Sequence, residues 1–179
     1  PSLNQKLRPV LGKIMVGLEY LFLRSGPLAM SLNQAGGFVK SDASLASPDL
    51  QLYFSPLSYS TAPQGKRPLM SPDPYPAVRL GFNPTKPTSE GWISLESSNP
   101  RKSPKFVGNY LSTAKDKKVM ISGMYLMRKF LQTKAMKKIV DEEISPGSHF
   151  KDDESFMDFA RDEGGTVFHQ CGTCRMGKD

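Results

Sequence analysis

The chain has 179 residues, of which 38% are hydrophobic and 23% charged, with two cysteines and a net charge of +7. This composition excludes a disordered polyelectrolyte and a disulfide-stapled miniprotein, and the length suits one domain with a core of its own. The most apolar stretch, residues 7–23, is interrupted by Arg8, Pro9, Lys13 and Glu19, so it does not supply the roughly 20 apolar residues of a membrane span.

Residue 1 is Pro, and no charged, apolar and cleavage regions of a targeting peptide follow it, so the chain reads as a piece of a longer one. Two cysteines leave an intracellular, cytoplasmic setting as the expectation. The positive charge is unevenly spread. Residues 101–138 carry eleven basic side chains against the single acid Asp116, and residues 141–163 carry nine acids. Without an RNA-binding or zinc-finger pattern beside it, the basic run reads as a solvated helix face, and no nucleic-acid partner is expected.

In chain order, Leu7, Val10, Leu11, Ile14, Met15, Leu18, Leu21 and Phe22 recur at spacings of three and four, which predicts one helix over residues 5–24, ended by Ser25-Gly26-Pro27. Residues 35–40 read as a strand. Leu50, Leu52 and Phe54 alternate with Gln51, Tyr53 and Ser55 in another. Six prolines between residues 56 and 76 predict a long irregular excursion. Val78, Leu80 and Phe82 alternate again. With residues 91–97 (GWISLES), across a turn at residues 87–91, they predict a hairpin. Helical spacing returns over residues 112–132, where Met120, Met124 and Met127 read as core filler. A shorter helix is expected over residues 152–163, with Asp153 and Glu154 in its first turn and Gly164-Gly165 as its stop. Helices interleaved with strand pairs, and no βαβ rhythm, indicate an α+β fold on a mostly antiparallel sheet. No Gly-x-Gly-x-x-Gly follows any predicted strand, so no dinucleotide site is encoded.

The chemistry gathers at the end of the chain, GTVFHQCGTCRMGKD, after a strand expected at residues 166–168. Cys171 and Cys174 with His169 and His149 allow three readings. They could be a zinc site, which lacks a second ligand pair at the usual spacing. They could be a dithiol, which lacks the helix that thioredoxin-like pairs open. Or they could be part of an active site around His169. No metal is expected.

The segment GTVFHQCGTCRMG resembles the C-terminal signature of the glucose-methanol-choline (GMC) flavoprotein oxidoreductases, approximately T-[VI]-[YF]-H-P-[VAC]-G-T-C-R-M-G, through Thr166, Phe168, His169, Gly172, Thr173, Cys174, Arg175, Met176 and Gly177. Residues 20–42, 48–59, 91–100, 104–112 and 142–147 are similar in order to that family's substrate-binding region, on its choline-dehydrogenase-like branch. The resemblance implies a substrate domain built on about six antiparallel strands backed by helices, occupying residues 1–179, with the Rossmann-like flavin domain outside this chain. It implies an FAD-dependent oxidoreductase that oxidises a small alcohol by hydride transfer to flavin, with FAD held mainly by the absent domain.

His169 then matches the residue that accepts the hydroxyl proton, a suitable task for an imidazole, whose free form titrates near ~6.5. Phe168 matches a position that packs on substrate, and the strand faces carrying Tyr53, Phe54, Arg79 and Phe82 are candidates for the rest of the pocket. Gln170 replaces the usual Pro, Cys171 stands where Val or Ala is common, and the second catalytic His or Asn lies beyond the equivalent of Asp179. The chain alone is expected to bind no FAD tightly and to be inactive. A stand-alone binding module, or a dithiol or zinc protein, is the alternative.

Overall fold

A computed structural model describes residues 2–59, 71–169, 171–173, 176 and 177. The chain divides into two units, Pro1–Phe130 and Leu131–Asp179.

The first unit begins with two helices where the apolar spacing predicted one: α1 spans Leu3–Leu7 and α2 spans Val10–Leu23. Pro9 makes the break. It has no N–H to donate to the turn before it, and its ψ of 144° takes the chain out of helical geometry, while its carbonyl still accepts from Lys13 N at 3.0 Å to start α2. The two helices meet closely at Gly12, where a Cβ would lie 2.0 Å from the Lys6 carbonyl oxygen. Asn4, 1% exposed, fastens α1 to the segments around Ser58 and Asp73. Its Nδ2 donates to Ser58 O at 2.9 Å and Asp73 O at 3.2 Å, and its Oδ1 accepts from Ser58 N at 2.9 Å.

Strands β1 (Ala35–Val39), β2 (Leu50–Ser55) and β3 (Arg79–Pro84) form an antiparallel sheet in that order. Leu52 stands opposite Phe82 and Gly37, and Tyr53 opposite Gly81 and Gly36. Because strand side chains alternate, Leu50, Leu52, Phe54, Leu80 and Phe82 share one face and Gln51, Tyr53, Arg79 and Asn83 the other. The first face is the apolar one. Leu50 is wholly buried, and the Phe82 ring lies over Gly123 of α3 (Ala114–Leu131), where a Cβ would come within 2.2 Å of the ring. The proline-rich excursion begins and ends together: Tyr59 bridges Pro72, and Asp73 N donates to Ser58 O at 3.1 Å. Residues 60–70 of that predicted excursion lie outside the described residues.

The expected hairpin between the strands at 78–82 and 91–97 does not form. β3 pairs with β2, whereas β4 (Trp92–Ser94) pairs with β5 (Lys105–Val107) in a separate two-stranded sheet. The connection is held elsewhere. The carboxylate of Asp116, in the first turn of α3, accepts from Thr88 N (2.8 Å), Thr88 Oγ1 (2.8 Å) and Ser89 N (2.8 Å), so residues 88–89 are fastened to the helix instead of closing a turn. Thr113 Oγ1 caps the same helix by accepting from Asp116 N at 3.2 Å. Among the described residues there are five strands in two sheets, fewer than the six expected of one sheet, while the α+β class and the antiparallel pairing are as expected.

In the second unit, Asp152 caps α4 (Asp153–Glu163) by accepting from Ser155 N at 2.8 Å, and the Ser155 hydroxyl accepts in return from Asp152 N. Phe156 and Met157 are the buried side of this helix, and Phe159 meets the Phe150 ring edge-on at 5.4 Å between centroids. The strand expected at residues 166–168 is absent. Phe168 has a φ of +58°, and its N–H is taken by Thr166 Oγ1 at 3.0 Å, which makes a turn where a ladder would need extended backbone. Among the described residues no helix is long and apolar enough to cross a membrane.

Candidate active-site elements

The residues singled out from the sequence fall into three places. Tyr53 and Arg79 lie on the sheet face turned away from the Phe82–Gly123 contact. There Tyr53 Oη donates to Asn83 Oδ1, the Tyr53 ring covers Gly81 at van der Waals distance, and the Arg79 guanidinium carbon sits 4.9 Å above the centre of the Tyr59 ring. Phe54 and Phe82 lie on the opposite, α3-facing side. Phe168 and His169 belong to the second unit, in the irregular segment after α4. The four sheet residues therefore divide two and two. The alternation of residues 50–55 already separates Tyr53 from Phe54, but only the pairing with β3 shows which face each takes.

Asn83 and Tyr59 were not singled out. Asn83 orients the Tyr53 hydroxyl and Tyr59 carries the Arg79 guanidinium, so this face presents a hydroxyl, an amide and a cation from adjacent positions. Their sequence signal is register alone: Asn83 stands opposite Gln51, one step from Tyr53 on the same face.

The segment after α4 is held locally. Phe168 is 83% exposed and His169 is exposed. A left-handed φ costs a non-glycine residue about 1 kcal/mol, which the Thr166 hydroxyl offsets by bonding the Phe168 N–H. Cys171 is a free, exposed thiol, and Cys174 lies outside the described residues, as do Gln170 and Arg175. Among the described residues no three His, Cys, Asp or Glu side chains gather as metal ligands.

Among the described residues the strongest electrostatic feature is Asp116. Burial works against its charge, but hydrogen bonds from Ser89 and Thr88 more than compensate and hold its carboxyl at about 2, against an ordinary value of 3.8. With Asp49, Lys86 and Lys115 it borders a shallow recess beside α3. Both carboxylates there are already engaged, Asp49 by the Ser41 N–H at 2.7 Å and hydroxyl at 2.6 Å, and none of the residues chosen from the sequence lines it. That recess is structural.

A family model described as GMC oxidoreductase matches residues 87–179, more than half of the chain. The chain is 32% identical over 177 residues to an oxygen-dependent choline dehydrogenase of Staphylococcus epidermidis, covering 99% of this chain and 29% of that protein. It is 34% identical over 172 residues to an alcohol dehydrogenase [acceptor] of Pseudomonas putida, covering 92% and 29%. Against the mitochondrial choline dehydrogenase of Mus musculus it is 31% identical, covering 99% and 28%. In fold it is similar to formate oxidase of Aspergillus oryzae, with a TM-score of 0.78 at 20% identity over 97% of this chain and 34% of that one. Pyridoxine 4-oxidase from Mesorbium loti gives 0.67 at 22% identity, over 83% and 28%. The chain thus spans under a third of the length of the curated relatives it matches. With a family model over its C-terminal half and relatives aligned along nearly its whole length, the chain belongs to the GMC oxidoreductase family.

Proposed function

We propose that this chain is the substrate-side portion of an FAD-dependent oxidoreductase that converts a small alcohol to its carbonyl product, and that His169 is the proton acceptor. One observation carries the proposal. His169 is exposed directly after a residue with a left-handed φ, in a turn fastened by Thr166, and Phe168 beside it presents its ring to the outside. An imidazole and an aromatic ring held out together, in the segment that carries the family signature, suit a ligand bound from beyond this chain's own contacts. Relatives more than three times as long leave ample polypeptide to hold a flavin.

In this reading, bound flavin supplies the hydride acceptor. His169 takes the hydroxyl proton at the unprotonated ring nitrogen of its neutral imidazole, leaving the oxygen electron-rich and the carbon ready to release hydride. The Phe168 ring covers the substrate and keeps water from that proton. Tyr53, with its hydroxyl oriented by Asn83, and Arg79 are proposed as polar pocket residues. Phe54 and Phe82 are proposed to act indirectly, by seating the sheet on α3. By itself the chain is proposed to retain no flavin and to have no activity.

The test is anaerobic. The full-length protein is mixed with a panel of primary alcohols, choline among them, and flavin absorbance is followed. Bleaching by at least one alcohol is the expected result; a protein without flavin, or one that no alcohol bleaches, overturns the reading.

A further inference from the structure

The three strands β1, β2 and β3 together carry one charged residue, Arg79, and it stands on the sheet face of Tyr53 and Asn83. The surrounding sequence is equally one-sided: from residue 50 to residue 89 the chain has a single acid, Asp73, against Lys66, Arg67, Arg79 and Lys86. Among the described residues no carboxylate pairs with the Arg79 guanidinium, Asp73 included.

The charge is nevertheless held in place. Its guanidinium carbon lies 4.9 Å from the centre of the Tyr59 ring. Tyr59 is fixed in turn by its bridge to Pro72 and by Ser58 beside it, whose N–H and carbonyl each bond the buried Asn4 side chain at 2.9 Å. Attraction to a ring positions a guanidinium without using a hydrogen-bond acceptor, so its N–H donors stay available. The hydroxyl protons nearby are already committed. Ser55, opposite Arg79 in register, donates to Asn33 Oδ1, and Tyr53 Oη donates to Asn83 Oδ1. An acceptor arriving on this face is therefore met by Arg79.

A cationic ligand finds the opposite. Two of the relatives are named for choline, an alcohol whose far end is a quaternary ammonium. Such a group is recognised by open aromatic faces and favoured by nearby negative charge. Here the Tyr59 ring is taken by the guanidinium, and the strands carry no acid. We infer that Arg79 is a specificity-determining residue that selects an alcohol bearing an oxyanion, a carboxylate or a phosphate monoester, away from the hydroxyl that is oxidised. The planar fork of N–H groups fits either oxyanion through paired hydrogen bonds. The inference rests on the reading of this face as part of the substrate pocket.

The test is anaerobic flavin bleaching of the full-length protein over a range of concentrations of alcohols matched in length: a hydroxycarboxylate, an alcohol phosphorylated at its far end, an uncharged alkanol, and choline. The hydroxycarboxylate or the phosphorylated alcohol is expected to exceed the alkanol by at least about tenfold in second-order rate, and the faster of the two names the oxyanion. Arg79→Gln should lower that ratio by roughly tenfold or more, through a higher half-saturating concentration, with Arg79→Lys between variant and parent. In the parent, the matching acid without a hydroxyl should compete with substrate and its uncharged amide should not; this comparison needs no variant and decides the question even where a substitution unsettles the fold. Fastest bleaching by choline, equal rates for charged and uncharged alcohols, or a ratio that Arg79→Gln leaves unchanged overturns the inference. So does a variant that keeps its melting temperature and loses its flavin, because Arg79 then serves the cofactor. A protein that no alcohol bleaches is a separate result, which removes the oxidoreductase reading and this inference with it.

Discussion

Replacing Asp116 with Asn removes the charge on which the connection between the two sheets depends. The Asp116 carboxylate accepts from two backbone N–H groups and one hydroxyl while almost fully buried, and it is held at about 2 against an ordinary 3.8. That gap corresponds to about 2 kcal/mol of stability present with the ionised form. Its pKa is lower folded than unfolded, so the contribution is complete above pH ~4 and is lost as pH falls through ~2. An amide can replace part of the acceptor function, but its NH₂ then faces donors.

Asp116→Asn should cost about 2 kcal/mol at neutral pH. The assay is urea unfolding followed by fluorescence of Trp92, the single tryptophan, which opens β4 just beyond the fastened residues. The difference between variant and parent should shrink steadily between pH 4 and pH 2. Equal stability at pH 7, or a difference that does not change with pH, would refute the reasoning.

Gly123→Val should push the Phe82 ring off α3 and lower stability by about 1–3 kcal/mol, read as a lower melting temperature. Asn4→Ala removes the acceptor of the Ser58 N–H and the amide that donates to Ser58 O and Asp73 O, and should cost about 1–3 kcal/mol in the same measurement. The Asp152 carboxyl lies below the usual range because Ser155 donates to it from its backbone, so the start of α4 should lose amide-exchange protection as pH falls below the carboxylate range, and Ser155→Ala should lose part of it at neutral pH.

Local signals in the sequence located the elements well where one element decides its own shape. The 3.6-residue spacing before Gln132 gives α3, the period of two gives β2, and Asp152 with acids behind it gives the start of α4. Pairing was not local. β3 joins β2 across the proline-rich excursion because Asn4 and the Tyr59–Pro72 bridge bring its ends together, and no periodicity in residues 78–97 encodes that closure. The turn residues 87–91 resemble a hairpin loop, yet the N–H groups of Thr88 and Ser89 are taken by a carboxylate about 28 residues further on. At the candidate site, His169 and Phe168 were legible from a motif, whereas the side of the sheet taken by Tyr53 and Phe54 depended on which face received α3. Phe168 shows the limit of the alternation rule: a β-like sequence, Thr-Val-Phe, becomes a turn once a threonine hydroxyl claims the amide.

The role of His169 is the central claim, and it is tested most directly by the rate at which an alcohol bleaches the flavin of the full-length protein under anaerobic conditions, with His169→Gln alongside. The variant should keep its flavin content while bleaching slows by roughly 10²-fold or more, as the loss of a general base requires. Equal bleaching rates in the two proteins would contradict the account and remove His169 from the chemistry.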